Sequence, residues 1–128
     1  MEYPDDFYYT KTHEWIKVQG NIGIVGITEY AQKQLGDIVY IELPEIGEKF
    51  EAGDPIGSIE SVKAVSEVFI PVSGEIIEVN EKVATEPDIV NSDAHGAGWL
   101  IKIKINDKSE LDNLMDSDEY QEYIEEEE

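Results

Sequence analysis

Pro55-Ile56-Gly57-Ser58-Ile59-Glu60-Ser61-Val62-Lys63-Ala64-Val65-Ser66-Glu67-Val68-Phe69-Ile70-Pro71-Val72-Ser73-Gly74 reads as two strand-like arms on either side of Val62-Lys63. One lysine therefore falls near the tip of a hairpin. Glycine or asparagine is the usual choice at such a tip, because the favoured short turns need positive φ. Lysine brings no advantage of that kind. Nor does the place suit a Schiff-base catalyst, since those lysines need burial to lower their pKa. A lysine on a rigid, projecting hairpin suits a fixed attachment point that a modifying enzyme can grip.

Working outward, the chain is mostly short strands divided by glycine and proline. Trp15-Ile16-Lys17-Val18 and Ile22-Gly23-Ile24-Val25 flank Gln19-Gly20-Asn21, a hairpin signal. Further strands are expected at 38–43, 56–61, 66–70, 74–79 and 99–105. In Trp99-Leu100-Ile101-Lys102-Ile103-Lys104-Ile105 the period is two, so the lysines face water and the isoleucines the core. Thr28 is placed to cap a short helix through Gln34-Leu35, with Gly36 suited to the left-handed exit and Ala31 and Leu35 as its buried face. Gly47-Glu48-Lys49-Phe50 and Asn80-Glu81-Lys82-Val83 match at a common offset, as do Ile46 with Val79 and Ile56 with Ile89. Such a repeat suggests two small sheets packed with quasi-twofold symmetry, although chance likeness between two polar turns explains it as well.

The 128 residues fit one domain, 1–128, large enough for a core without disulfides. Hydrophobic residues make up 41%, enough to fold despite a net charge of -21. That charge repels phosphate backbones and anionic lipid, so neither nucleic acid nor a membrane is expected as partner. All nine basic residues are lysine, which removes the arginine fork that binds carboxylate and phosphate substrates. There is no cysteine, hence no thiol nucleophile, redox pair or thiolate metal site. The opening Met1-Glu2-Tyr3-Pro4-Asp5-Asp6 lacks the basic and apolar parts of a signal peptide. No apolar run approaches the roughly 18 residues of a membrane span. A cytoplasmic monomer is the expectation.

Residues 107–128 hold eleven acids and one lysine, about half of the net charge. Leu111, Leu114, Met115, Tyr120, Tyr123 and Ile124 recur there at helical spacing. Asp107 with Glu110 resembles a capping box, and Ser117 is placed to cap a second short helix, followed by a frayed Glu125–Glu128 end. Such a run reads as a solvated helical extension of the same domain.

Catalytic constellations are scarce. His13 and His95 have no cysteine or nearby histidine to complete a metal site, and His13 beside Glu14 reads as a turn detail. Gly96-Ala97-Gly98 precedes a strand where a phosphate loop would open a helix, so it reads as a tight turn.

Glu60-Ser61-Val62-Lys63-Ala64 followed by Pro71-Val72-Ser73-Gly74-Glu75 resembles the lipoyl-attachment hairpin of glycine cleavage system H-proteins. Tyr9-Thr10-Lys11-Thr12-His13-Glu14-Trp15, Gly26-Ile27-Thr28-Glu29-Tyr30-Ala31-Gln32, Leu35-Gly36-Asp37-Ile38-Val39, Glu42-Leu43-Pro44 and Gly98-Trp99-Leu100-Ile101-Lys102-Ile103 resemble further blocks in the family's order. Two departures stand out. Asp93-Ala94-His95-Gly96 replaces a proline, tyrosine and glycine in one surface loop, and Glu67 stands where aspartate is common.

The resemblance implies a mainly β fold, a lipoyl-domain-like barrel-sandwich hybrid with small flanking helices. It implies lipoic acid in amide linkage on Lys63 as N6-lipoyllysine. The protein would be a non-catalytic carrier that takes an aminomethyl group from a pyridoxal-phosphate glycine decarboxylase. It would deliver that group to a folate-dependent aminomethyltransferase, and a dihydrolipoyl dehydrogenase would reoxidise the arm. Thr12, Glu14 and Glu67 would line the cleft where the loaded arm parks, and a lipoate-attaching enzyme would read Glu60 and Gly74. A hydroxyl and two carboxylates are sensible partners for an ammonium group. The alternatives are a lipoyl relay or storage protein of the same family, a biotin carrier, disfavoured because Val62 and Ala64 rather than methionines flank the lysine, and an unmodified acidic interaction module that uses its tail.

Overall fold

The computed structural model describes residues 3–127. The first half contains β1 (Phe7–Tyr9), β2 (Glu14–Gln19), β3 (Ile22–Ile27), α1 (Glu29–Leu35), β4 (Ile38–Glu42), β5 (Lys49–Phe50) and β6 (Pro55–Ser61). The second contains β7 (Val65–Phe69), β8 (Gly74–Val79), α2 (Glu81–Thr85), α3 (Asp88–Ser92), β9 (Ile101–Ile105), a 3-10 turn (Lys108–Asn113) and α4 (Ser117–Glu127). Six strands form one antiparallel sheet in the order β1-β2-β3-β9-β8-β5, and three form another, β4-β6-β7. Ile16, Val25, Ile76 and Ile103 of the first sheet share a core with Ile41, Ile59 and Val68 of the second. The architecture is the mainly β sandwich that the family resemblance implied.

Local chemistry accounts for the elements. Gly20 turns at φ 62°, which lets Gln19 pair with Ile22 across a two-residue loop. Ile101, Ile103 and Ile105 are buried while Lys102 and Lys104 between them reach solvent. Thr28 caps α1 by accepting from the Ala31 N–H, and Gly36 leaves it at φ 80°. The expected strands 38–43, 56–61, 66–70 and 74–79 appear as β4, β6, β7 and β8 within one residue at either end. β9 begins later than expected, because the Trp99 N–H still closes the preceding turn on the Gly96 carbonyl (3.1 Å).

Several expectations need correction. The sheets are unequal, and the two repeat units take different forms: Gly47–Phe50 is a turn leading into β5, whereas Asn80 caps the helix α2. Ala31 and Leu35 do pack against the core but only partly buried, and Glu29 and Gln32 are the more buried residues of α1. They are tolerated because Gln32 donates to Glu29 (2.9 Å) and accepts from the Asn91 side-chain amide (2.8 Å). In the tail, Asp107 caps through the Ser109 N–H, while Glu110 turns away to accept two hydrogen bonds from Ser73. The second tail helix is not short. It runs eleven residues, and Asp116 with Glu119 forms the reciprocal capping box, while Ser117 donates to Asp5. Glu125, Glu126 and Glu127 continue the helix, and Glu128 lies outside the described residues.

Candidate attachment site and cleft

β6 and β7 pair down to Glu60 and Val65, leaving Ser61 to Ala64 as the tip. The Ser61 N–H donates to the Ala64 carbonyl (2.8 Å), and Ser61 Oγ accepts from the N–H groups of Ala64 (3.1 Å) and Lys63 (3.3 Å). The Val62 N–H is held by the Asp37 carbonyl (3.0 Å). The tip is thus fixed by a serine side chain without positive φ, which explains how lysine sits where glycine was expected. Lys63 is exposed, and its ammonium makes no hydrogen bond or ion pair among the described residues. Its side chain passes over Gly36, where a Cβ would lie only 3.3 Å from Lys63 Cε.

From Gly36, α1 leads into an open cavity of about 410 Å3. Tyr30, Ala31, Gln34 and Leu35 of α1 form one side, and Thr12, His13, Ser66 and Glu127 complete it. Glu14 lies behind Thr12 and is 1% exposed. Its Oε1 accepts from the hydroxyls of Thr10 (2.7 Å) and Thr12, and its Oε2 accepts from the Phe69 N–H (3.2 Å). Burial pushes this carboxyl up to about 7, against the pull of those hydrogen bonds.

Thr12 and Glu14 therefore stand together, but Glu67 does not join them. Alternation along β7 puts Ser66 on the cleft, while Glu67 lines a separate hollow with Glu42 and Glu48. Glu60 is exposed on β6, in a row with Tyr40 of β4 and Val65 of β7. Gly74 is buried, and a Cβ there would lie 2.6 Å from the Lys104 carbonyl oxygen, so close strand approach already demands glycine.

The family model for the glycine cleavage H-protein matches residues 7–127. The chain belongs to that family. It is 54% identical over 124 residues to the glycine cleavage system H protein of Carboxydothermus hydrogenoformans, covering 97% of this chain and 95% of the relative. With the protein of that name from Thermotoga maritima the identity is 52% over 115 residues, 90% and 93% of the two chains. The crystal structure of a glycine cleavage system H protein from Mycobacterium marinum superposes with a TM-score of 0.82 at 38% identity, covering 92% and 95%. H-proteins are the non-catalytic lipoyl carriers of the glycine cleavage system. Lys63 fits the lipoyl group, since its amine is exposed, unpaired and held on a braced tip. No helix among the described residues is long and apolar enough to cross a membrane.

The tail, read from sequence as a solvated extension, packs on the body of the domain and reaches the cavity. Tyr120 is fully buried, stacks on Tyr9 at 4.8 Å and reaches both Thr28 (2.7 Å) and His13 Nδ1 (2.8 Å). Glu127 then meets His13 Nε2 at 3.0 Å on the rim of the cleft. The helical spacing of Tyr120, Tyr123 and Ile124 was the available signal, but it did not say which surface they cover. The Asp93–Gly96 loop is likewise more than surface detail. Trp15 Nε1 donates to the Ala94 carbonyl (3.0 Å), and His95 Nε2 accepts from the Glu29 N–H at the start of α1 (3.0 Å).

Proposed function

We propose that Lys63 carries lipoic acid as N6-lipoyllysine, and that the cleft along α1 shelters the loaded arm between encounters with the partner enzymes. The observation that carries this reading is the exposed, unpaired ammonium on a tip braced by Ser61 and Asp37. When bound, the lipoyl group supplies a cyclic disulfide that takes up the aminomethyl group of glycine. The chain's own residues bind and orient. Gly36 leaves room for the lysine methylenes, and Thr12, which donates to Glu14 behind it, offers its hydroxyl oxygen to an ammonium. The partners are the pyridoxal-phosphate glycine decarboxylase, the folate-dependent aminomethyltransferase and the dihydrolipoyl dehydrogenase, all in the cytoplasm.

Glu60, with Tyr40 and Val65 beside it, offers a lipoate-attaching enzyme one carboxylate set among exposed apolar side chains. Gly74 contributes there by holding β8 against β9, not by direct contact. Glu67, facing away from the cleft, serves the outer surface with Glu42 and Glu48. Intact mass of the protein before and after incubation with lipoate and its ligase tests the assignment. Wild type gains one lipoyl group, and Lys63→Arg gains none. A lipoyl gain in Lys63→Arg would refute it.

A further inference from the structure

Three distant stretches of chain meet behind the cleft in one line of polar groups. The Ala31 N–H donates to Thr28 Oγ1 (3.2 Å), which lies 2.7 Å from the Tyr120 hydroxyl. That hydroxyl is 2.8 Å from His13 Nδ1, and His13 Nε2 is 3.0 Å from Glu127 Oε2. A carboxylate only accepts, so Nε2 holds the ring hydrogen. Nδ1 then accepts from Tyr120, whose oxygen accepts from Thr28. Burial lowers the His13 pKa, outweighing the opposite pull of Glu127, so the imidazole is neutral at neutral pH. Tyr30 and Tyr123 pack their rings against His13 at 4.8 and 5.9 Å and bring no charge.

Glu127 is therefore oriented by a hydrogen bond while no cation among the described residues neutralises it. Among the described residues, the lysines that form ion pairs are Lys33 with Glu29 and Lys102 with Glu78. The two carboxylates near the cavity differ in what they offer. Glu14 is buried, with both oxygens occupied by Thr10, Thr12 and the Phe69 N–H. Glu127 lines the cavity itself with a side chain 37% exposed.

We propose that Glu127 is a positioning residue of the cleft, its carboxylate oriented by His13 to receive the primary ammonium of the loaded arm. This rests on the carrier reading of Lys63, and it gives the acidic tail a place in the site.

The test compares wild type, Glu127→Gln and Glu126→Gln. Glutamine at 127 keeps an acceptor for His13 but loses the charge, and Glu126→Gln removes the same charge from the same helix turn without touching the cavity. Each lipoylated protein is loaded by the decarboxylase, and release of formaldehyde is followed. Glu127→Gln shortens the loaded lifetime about two- to fivefold, the span of a partly exposed ion pair, and Glu126→Gln leaves it unchanged. A second measurement needs no loading: unlipoylated protein is titrated with methylammonium while the His13 ring nitrogens are observed by NMR. The shifts saturate in wild type and weaken in Glu127→Gln. Equal lifetimes, or equal titrations, in wild type and Glu127→Gln overturn the assignment. Loss of the carrier reading would register separately, as a missing lipoyl mass in wild type, and the titration would still decide the role of Glu127.

Discussion

Glu14 shows what a buried carboxyl costs the fold. Its ordinary value of 4.5 rises to about 7 because burial disfavours the charged form. Between those values the folded chain holds a proton that the unfolded chain has released. Stability from this group therefore falls as pH rises from 4.5 through 7, by on the order of 3 kcal/mol if the whole shift is realised. Glu14→Gln cannot ionise and removes that slope. Urea unfolding of both proteins at about pH 5 and about pH 8 checks this. Wild type should lose more stability across the interval than Glu14→Gln, and parallel losses would exclude Glu14 as the cause. A cation brought close to this carboxyl would favour its charged form and relieve part of that cost.

At the scale of elements, the tail helix joins the site to the core. Tyr120 contributes a ring stacked on Tyr9 and a hydroxyl shared with Thr28 and His13. Tyr120→Phe keeps the stacking but leaves two groups short of a partner, at a cost of about 1–3 kcal/mol. Urea denaturation should show a lower midpoint with an unchanged m value, and an unchanged midpoint would mean the hydroxyl is energetically idle. The same elements show what could be read from sequence. The lysine hairpin, the cap at Thr28 and the alternation in β9 are local patterns, visible in a few consecutive residues. β1 is three residues long and is stitched by Tyr9 to Met115, far along the chain. α2 and α3 have five residues each, too few for a helical period to show. Glu67 and Ser66 differ only in strand parity, so which of them faces the cleft depends on the register of β6 with β7. His13 and Tyr120 lie 107 residues apart, and no local pattern joins them.

For the whole molecule, a net charge of -21 opposes compaction, and α4 concentrates the problem. Glu125, Glu126 and Glu127 occupy its last turn, the negative end of the helix dipole, and no basic residue is there to offset them. Aromatic packing holds the helix against that repulsion. Salt screens repulsion more than it weakens apolar contacts, so the melting temperature should rise from low ionic strength to roughly 0.5 M, where the Debye length is well below 10 Å. A melting temperature that is flat or falling with salt would show that attractive pairs outweigh the repulsion.

The docking of α4 also bears on how the protein can be handled. Its last described residue, Glu127, lines the cavity, so a fusion made at this end of the helix would start beside it. An affinity tag or reporter fused there would crowd the mouth of the cavity. A basic tag, such as a protonated polyhistidine, would be drawn to the Glu127 carboxylate and compete there with any other cation.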